Sequence, residues 1–231
     1  MSVIELRQVS KAFRGVSLLE EVSAEFARGQ IHGITGPNGS GKSVLFRLIC
    51  GFMSPDHGQV LIDPTYQKSP GGYPQHFGII IDRPGYLAGR TGYENLQRLA
   101  EIRGDISSEQ IRQAMEAVGL SPDTRQKVRR YSLGMKQKLA LAQSFMEHQQ
   151  VLILDEPFNA LDDRSTAQVR ELLLTFKAQG RTILLTSHNP EDIRRLCDSV
   201  WKIEDRQLKQ GALTDLASSA TSPIVEKESE V

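Results

Sequence analysis

Residues 36–43 read Gly-Pro-Asn-Gly-Ser-Gly-Lys-Ser and follow an apolar stretch, residues 31–34, that is typical of a buried strand. They fit the phosphate-binding pattern G-x-x-x-x-G-K-[ST]. Glycines let backbone N–H groups turn toward phosphate oxygens, and the next helix directs the positive end of its dipole at them. Lys42 would bring a positive charge to the β- and γ-phosphates, and the Ser43 hydroxyl would be a ligand for Mg²⁺.

The pattern therefore predicts a site for a nucleoside triphosphate. The alternative is a glycine-rich turn that only joins a strand to a helix. We assign nucleotide binding to every residue of the loop: Gly36, Pro37, Asn38, Gly39, Ser40, Gly41, Lys42 and Ser43.

A second motif supplies two adjacent carboxylates. Residues 151–156 read Val-Leu-Ile-Leu-Asp-Glu, and the four apolar residues are typical of a parallel strand covered on both faces. Asp155 then lies at the carboxyl edge of the sheet, where ligands bind in open α/β folds, and its oxygens can hold Mg²⁺. Glu156 could act as the general base that polarises the attacking water. Without the phosphate loop, an exposed acidic strand end would be the simpler interpretation.

Three further segments make the chain resemble the ATP-binding subunits of ATP-binding cassette (ABC) transporters. Residues 131–137 (Tyr-Ser-Leu-Gly-Met-Lys-Gln) are similar to the family signature, usually written LSGGQ. Residues 159–162 (Asn-Ala-Leu-Asp) are similar to the D-loop. His188 follows an apolar strand, residues 182–187, and resembles the switch histidine. The motifs keep the family order from about residue 4 to about residue 216.

The resemblance implies that two cassettes bind ATP and Mg²⁺ between them and hydrolyse ATP to ADP and phosphate. It implies catalytic roles for Lys42, Glu156 and His188, whose imidazole would hydrogen-bond the γ-phosphate and the attacking water. Further nucleotide contacts are implied for Phe13, Asp82, Ser132, Gly134 and Asp162, and Mg²⁺ contacts for Ser43, Asp155 and Asp82.

Phe13 lies where the family stacks an aromatic ring on adenine, although it could instead be a core residue of an antiparallel strand. In the signature, Leu133 replaces the first glycine. Ser132 and Gly134 keep the hydroxyl and the close-approach backbone that would meet the γ-phosphate bound by the partner cassette.

Asp82 occupies the position where most members of the family have a glutamine. It ends residues 77–82, Phe-Gly-Ile-Ile-Ile-Asp. Its side chain is shorter than glutamine and only accepts hydrogen bonds when ionised, so it could join the Mg²⁺ shell but not donate as an amide does. Exporters of antibiotic peptides such as bacitracin or lantibiotics often carry an acid here followed by Pro-Gly, and residues 83–86 (Arg-Pro-Gly-Tyr) are similar. This similarity favours the export branch.

The composition agrees with a cytoplasmic subunit. Lys plus Arg equal Asp plus Glu, at 28 each, so no global field favours nucleic acid or an anionic membrane surface. The first seven residues already carry charges, which is unlike a secretory signal. No stretch approaches the ~18 apolar residues of a membrane span. We therefore expect a peripheral protein on the inner face of the cell membrane, bound to a permease that is a separate transmembrane polypeptide, with no nucleic acid partner.

The predicted fold is α/β: a P-loop ABC cassette with a mostly parallel core sheet, a small N-terminal antiparallel β subdomain and an inserted helical subdomain. We expect one ATPase domain over residues 1–216, with the core and antiparallel sheet at about 1–85 and 150–216 and the helices at about 86–149. The first antiparallel strands are predicted at residues 4–9 and 21–26, and residues 217–231 read as a loose tail.

Two other classes of function stay open from the sequence. A soluble ABC ATPase acting on ribosomes or chromosomes would carry two cassettes or a long coiled-coil insertion, and this chain has one phosphate loop and a short helical insertion. A nucleotide-dependent regulator with little turnover is disfavoured by Glu156 and His188 but not by Asp82. Whether the two cassettes are identical is also open. The membrane partner should contact the surface around residues 82–86 and the helical subdomain. Tyr86 and Leu87 would line that groove or, alternatively, pack in the core.

Overall fold

The computed structural model describes residues 1–67, 72–82 and 85–211. A three-stranded antiparallel sheet is built from β1 (Ser2–Phe13), β2 (Val16–Ala27) and β4 (His57–Ile62), in the order β2-β1-β4. It confirms the predicted antiparallel subdomain, but its first two strands are longer than predicted. Gln8 and Glu21 have positive φ angles of 48° and 46°, and the pairing of β1 with β2 shifts register between Leu6 and Val9. These irregularities interrupt the alternation of apolar and polar residues from which strands are predicted.

The second sheet has six strands and carries the phosphate loop. Its six strands in chain order are β3 (Ile31–Thr35), β5 (Phe77–Ile80), β6 (Val151–Leu154), β7 (Thr182–Thr186), β8 (Ser199–Glu204) and β9 (Gln207–Gly211). The spatial order is β5-β6-β7-β3-β8-β9, and every neighbouring pair is parallel except β8 with β9. The carboxyl ends of β3, β6 and β7 therefore meet at one edge.

In the described part of the chain, six α-helices accompany the sheets: α1 (Lys42–Ile49), α2 (Gly92–Arg103), α3 (Ser108–Ala117), α4 (Leu133–Phe145), α5 (Asp163–Ala178) and α6 (Pro190–Leu196). Helix α2 begins with a capping box between Thr91 and Glu94 and ends at Gly104, whose φ of 72° suits glycine. Gly119, at φ 67°, lies two residues past the end of α3.

The core lies on both faces of the six-stranded sheet. Within β6, Val151 and Ile153 pack with the antiparallel sheet and α1, whereas Leu152 and Leu154 pack with residues of α2 to α5. All four β6 side chains are buried, as an uninterrupted apolar run predicts for a central parallel strand. The predicted α/β fold with a mostly parallel core is confirmed.

Parts of the predictions lie outside the described residues: the tail at 217–231, and Arg83 and Pro84 of the segment 83–86. The subdomain boundaries stay predictions. In the part of the chain that the structure describes, no helix has both the length and the hydropathy needed to cross a membrane.

Candidate nucleotide-binding and hydrolysis site

The phosphate loop joins β3 to α1 and depends on glycine backbone geometry. Gly36 has φ 145°, and a Cβ there would lie 2.7 Å from the carbonyl oxygen of Ile203. Lys42 opens α1 and folds back over the loop, where its Nζ donates to the carbonyl oxygens of Gly36 at 2.8 Å and Pro37 at 3.0 Å. The Ser40 hydroxyl is buried without a hydrogen-bond partner in the described part of the chain. The loop thus holds a cation and an unused donor, which fits a phosphate ligand.

Asp155 lies at the end of β6, where hydroxyl groups from two other elements meet it. Ser43 Oγ donates to Asp155 Oδ2 at 2.5 Å, and Thr186 Oγ1, from the end of β7, donates to Asp155 Oδ1 at 2.7 Å. A serine hydroxyl and a carboxylate in contact are oxygen ligands of the kind that Mg²⁺ prefers. The residues present at this edge therefore fit Mg²⁺.

Glu156 adopts a different environment from its neighbour Asp155. Its backbone has φ 51°, and its N–H donates to Thr186 Oγ1 at 2.8 Å. Its side chain is 17% exposed, and Oε2 accepts from the backbone N–H of His188 at 3.2 Å. Oε1 lies 3.2 Å from His188 Nε2, yet within the described residues this buried oxygen has no well-aligned hydrogen-bond partner. Burial raises the pKa of Glu156, and the charge of a protonated His188 opposes that rise.

The structure thus brings the predicted catalytic residues together. Lys42, Glu156 and His188 line one cavity of about 300 Å³ with Ser43 and Asp155. A buried carboxylate with a raised pKa and a free oxygen is suited to accept a proton from water. Sequence reasoning did not assign a role to Thr186. The available signal was a hydroxyl at the carboxyl end of a buried strand, two residues before His188.

The signature residues lie elsewhere. Ser132 caps the N-terminus of α4, where its Oγ accepts from Met135 N–H at 3.1 Å, and Asp162 caps α5 by accepting from Ser165 N–H at 2.7 Å. Hydrogen bonds from the Ser165 side chain and from its backbone N–H lower the pKa of Asp162. Ser132, Gly134 and Asp162 line a cavity of about 380 Å³ that shares no residue with the phosphate cavity. Ser132 and Gly134 therefore do not line the phosphate cavity of their own chain, whereas Gln137, at the other end of the signature segment, lines a cavity with Asp155 and Glu156.

Gly134 has an intramolecular role that the sequence did not indicate. A Cβ at this position would lie 2.6 Å from the carbonyl oxygen of Ala160. Such a distance is shorter than van der Waals contact allows, so the start of α4 and the 159–162 segment approach this closely only because residue 134 has no side chain.

Asp82 follows β5 at φ 62°, and its Oδ2 accepts from Arg47 Nη2 of α1 at 2.5 Å. Asp82 also lines a larger cavity of about 720 Å³ together with Asp155 and Glu156. Asp82 therefore shares a cavity with these two carboxylates, while its direct contact is with Arg47, for which the sequence predicts no role. Its place in the Mg²⁺ shell stays a prediction.

Phe13 is 40% exposed at the end of β1, so the alternative of a core residue is wrong for this position. Lys11 Nζ lies 5.6 Å from the centroid of the Phe13 ring.

Tyr86 and Leu87, predicted to line a groove or pack in the core, differ from each other in burial. Tyr86 packs against the core and donates to the Lys136 carbonyl oxygen at 3.1 Å, and burial raises its pKa, whereas Leu87 is 51% exposed.

Comparisons with known proteins agree with this geometry. The family model described as ABC transporter matches residues 19–159. The uncharacterized ABC transporter ATP-binding protein YybJ of Bacillus subtilis is 35% identical over 207 residues, which cover 90% of this chain and 95% of YybJ. The bacitracin transport ATP-binding protein BcrA of Enterococcus faecalis is 33% identical over 208 residues, covering 89% of this chain and 68% of BcrA. A solved ATP-binding subunit of an ABC transporter superposes with a TM-score of 0.80 at 27% identity, covering 93% of this chain and 91% of that one.

The chain belongs to the ABC transporter family, as an ATP-binding subunit that hydrolyses ATP. The solved ATP-binding cassette MJ0796, dimeric in a post-hydrolysis state bound to ADP and Pi, has the same fold, with a TM-score of 0.79 at 19% identity over 91% of this chain and 98% of that one. The family predicted from the phosphate loop, the signature and His188 is confirmed.

Proposed function

We propose that this chain binds MgATP between its own phosphate loop and the signature of a second cassette. Hydrolysis there drives a separate permease that exports its substrate. The observation that carries the proposal is the buried oxygen Oε1 of Glu156, which lies 3.2 Å from His188 Nε2 without an aligned hydrogen bond among the described residues and shares a cavity with Lys42. A buried carboxylate oxygen without an aligned hydrogen bond is costly for folding, and a catalytic base needs an oxygen that can accept a proton.

The residues of the chain divide the chemistry among them. Lys42 exchanges the carbonyl oxygens of Gly36 and Pro37 for phosphate oxygens when ATP binds. Ser43 and Asp155 would hold Mg²⁺, which when bound neutralises charge on the phosphates. Glu156 takes the proton of the attacking water, and His188 hydrogen-bonds the γ-phosphate.

A second cassette completes this site. Ser132 and Gly134 line a cavity separate from the phosphate loop of their own chain, so they are free to cover ATP bound by a partner. Phe13, exposed at the end of β1, would stack on the adenine. Asp162 would contact the second cassette through the loop that precedes α5.

Export of an antibiotic-like peptide is the transport activity we favour. BcrA, named for bacitracin transport, is 33% identical to this chain, and Asp82 stands where that branch often has an acid. The permease would dock near Asp82 and the exposed Leu87, and it would hold the subunit at the cytoplasmic face of the membrane.

The substitution Lys42→Ala tests the site. It should abolish ATP hydrolysis and weaken ATP binding roughly 10- to 100-fold, because the phosphates lose a charged hydrogen-bond donor. Phosphate release and equilibrium ATP binding measure the two effects. Lys209→Ala, an exposed lysine on β9, is the control and should behave as wild type. Full hydrolysis by folded Lys42→Ala protein would contradict the proposal.

A further inference from the structure

Gln137 joins the signature helix to the loop that carries the catalytic carboxylate. It lies half-buried on α4, five residues after Ser132. Its side-chain amide Nε2 donates to the carbonyl oxygen of Pro157 at 3.0 Å and to that of Glu156 at 3.3 Å. A single amide therefore connects α4 to the two residues that follow Asp155.

The backbone of Glu156 depends on such support. Its φ of 51° lies in the left-handed region, which residues other than glycine rarely adopt. Its N–H is held by Thr186 Oγ1 at 2.8 Å, and its carbonyl oxygen accepts from Gln137 and from Asn159 N–H at 3.2 Å. Conformations of this kind persist where surrounding contacts fix them, and here β7 and α4 hold opposite sides of one residue.

We propose that Gln137 is a positioning residue for Glu156. By holding the carbonyl oxygens of Glu156 and Pro157, it fixes the direction in which the carboxylate leaves the backbone. It acts through that backbone: it shares a cavity with Asp155 and Glu156 but not with Lys42 or Ser43 of the phosphate loop.

The position of Gln137 on α4 also couples the signature to Glu156 of the same chain. Ser132 caps α4, and a helix of 13 residues transmits a shift of its first turn to a side chain one turn and a half further on. This step rests on the proposed function, because only there does Ser132 meet the nucleotide of a second cassette. A dimer of cassettes would have two ATP sites. Hydrolysis at the site that contains Glu156 of one chain would then depend on whether the signature of that chain contacts the ATP bound at the other site.

The test replaces the amide donor and then restores it. Gln137→Met keeps the length of the side chain but donates no hydrogen bond, and Gln137→Lys supplies N–H donors again. Gln143→Met is the matched control, since Gln143 is also half-buried on α4 and lines a different cavity. Glu156→Gln reports separately on the catalytic base.

Gln137→Met should lower kcat for ATP hydrolysis roughly tenfold, the scale of one or two lost hydrogen bonds. The KM for ATP and the ATP affinity should stay within about twofold, because the phosphate loop is untouched. Gln137→Lys should recover most of the lost kcat, and Gln143→Met should match wild type.

Two results would overturn the inference while leaving the proposed function in place. One is a wild-type kcat in Gln137→Met alongside an inactive Glu156→Gln protein. The other is a loss of kcat in Gln137→Met that follows a loss of thermal stability and that lysine does not rescue, since this would identify Gln137 as a packing residue. Hydrolysis at the wild-type rate by Glu156→Gln would contradict the proposed function itself.

Discussion

Adjacent carboxylates in this chain have different chemistry because their oxygens meet different partners. Both oxygens of Asp155 accept hydrogen bonds, from Ser43 and from Thr186. Glu156, the next residue, keeps one buried oxygen without an aligned hydrogen bond in the described structure, and burial raises its pKa. The first environment suits a metal ligand and the second suits a base. The roles predicted from the sequence, a metal ligand for Asp155 and a general base for Glu156, thus have a physical basis.

Burial of Glu156 predicts a pH-dependent effect on stability. A carboxyl group whose pKa is raised in the folded state binds its proton more tightly there than in the unfolded chain. Its stabilising contribution is present at low pH and is lost as pH rises through the raised pKa. Above that pKa, the buried charge of the ionised Glu156 destabilises the folded state, whereas Gln carries no charge. Nucleotide-free Glu156→Gln should therefore be more stable than wild type at pH 7.

The gap in free energy of unfolding between the two proteins should shrink as pH falls through the raised pKa toward 4.5, the ordinary glutamate value. Urea unfolding at a series of pH values measures it. Glu101→Gln, which changes an exposed glutamate of α2, is the control and should give a small gap. A gap in Glu156→Gln that is absent at pH 7 would show that Glu156 is not destabilised by burial.

Among the helices, strands and loops, the sequence predicted those whose structure depends on neighbouring residues. The apolar run of β6 and the phosphate loop before α1 each depend on neighbouring residues, and each was predicted. The strands β1 and β2 were predicted too short, since their left-handed residues break the alternation.

Contacts between distant elements were not predictable from spacing. The pairing of Arg47 with Asp82, of Thr186 with Asp155 and of Gln137 with Pro157 joins helices and strands that only the folded chain brings together. A residue type and its position in the sequence indicate its local structure, but they do not specify which partner the fold will bring to it. The missed part of the site consists of these supporting contacts.

Gly134 gives a prediction at this scale, because two elements meet through it. Gly134→Ala would put a methyl group 2.6 Å from the Ala160 carbonyl oxygen, and the backbone must move to relieve the clash. We expect a loss of about 1–3 kcal/mol in the stability of the nucleotide-free protein, the usual cost of overpacking. Thermal or urea unfolding without nucleotide measures it.

Gly89→Ala is the matched control, since a Cβ at Gly89 has no atom within 4 Å. If Gly134→Ala unfolds like wild type and loses only ATP-dependent behaviour, then Gly134 serves the partner nucleotide alone and the intramolecular explanation is wrong.

For the whole molecule, the separation of the two cavities has the largest consequence. The carboxyl edge of the core sheet gathers Lys42, Ser43, Asp155, Glu156 and His188 in one cavity, and Ser132 and Gly134 of the signature line another. A complete site as proposed needs the phosphate loop of one cassette and the signature of a second. ATP then holds the pair together, and hydrolysis releases it.

The oligomeric state of Glu156→Gln tests this claim most directly. Gln keeps the shape of the side chain but removes its basicity, so bound ATP should persist. Light scattering after gel filtration should give twice the monomer mass with MgATP and the monomer mass with MgADP, over a range of protein concentrations. A double variant that adds Lys42→Ala should stay monomeric in both. Monomers of Glu156→Gln at every concentration with MgATP bound would contradict the account.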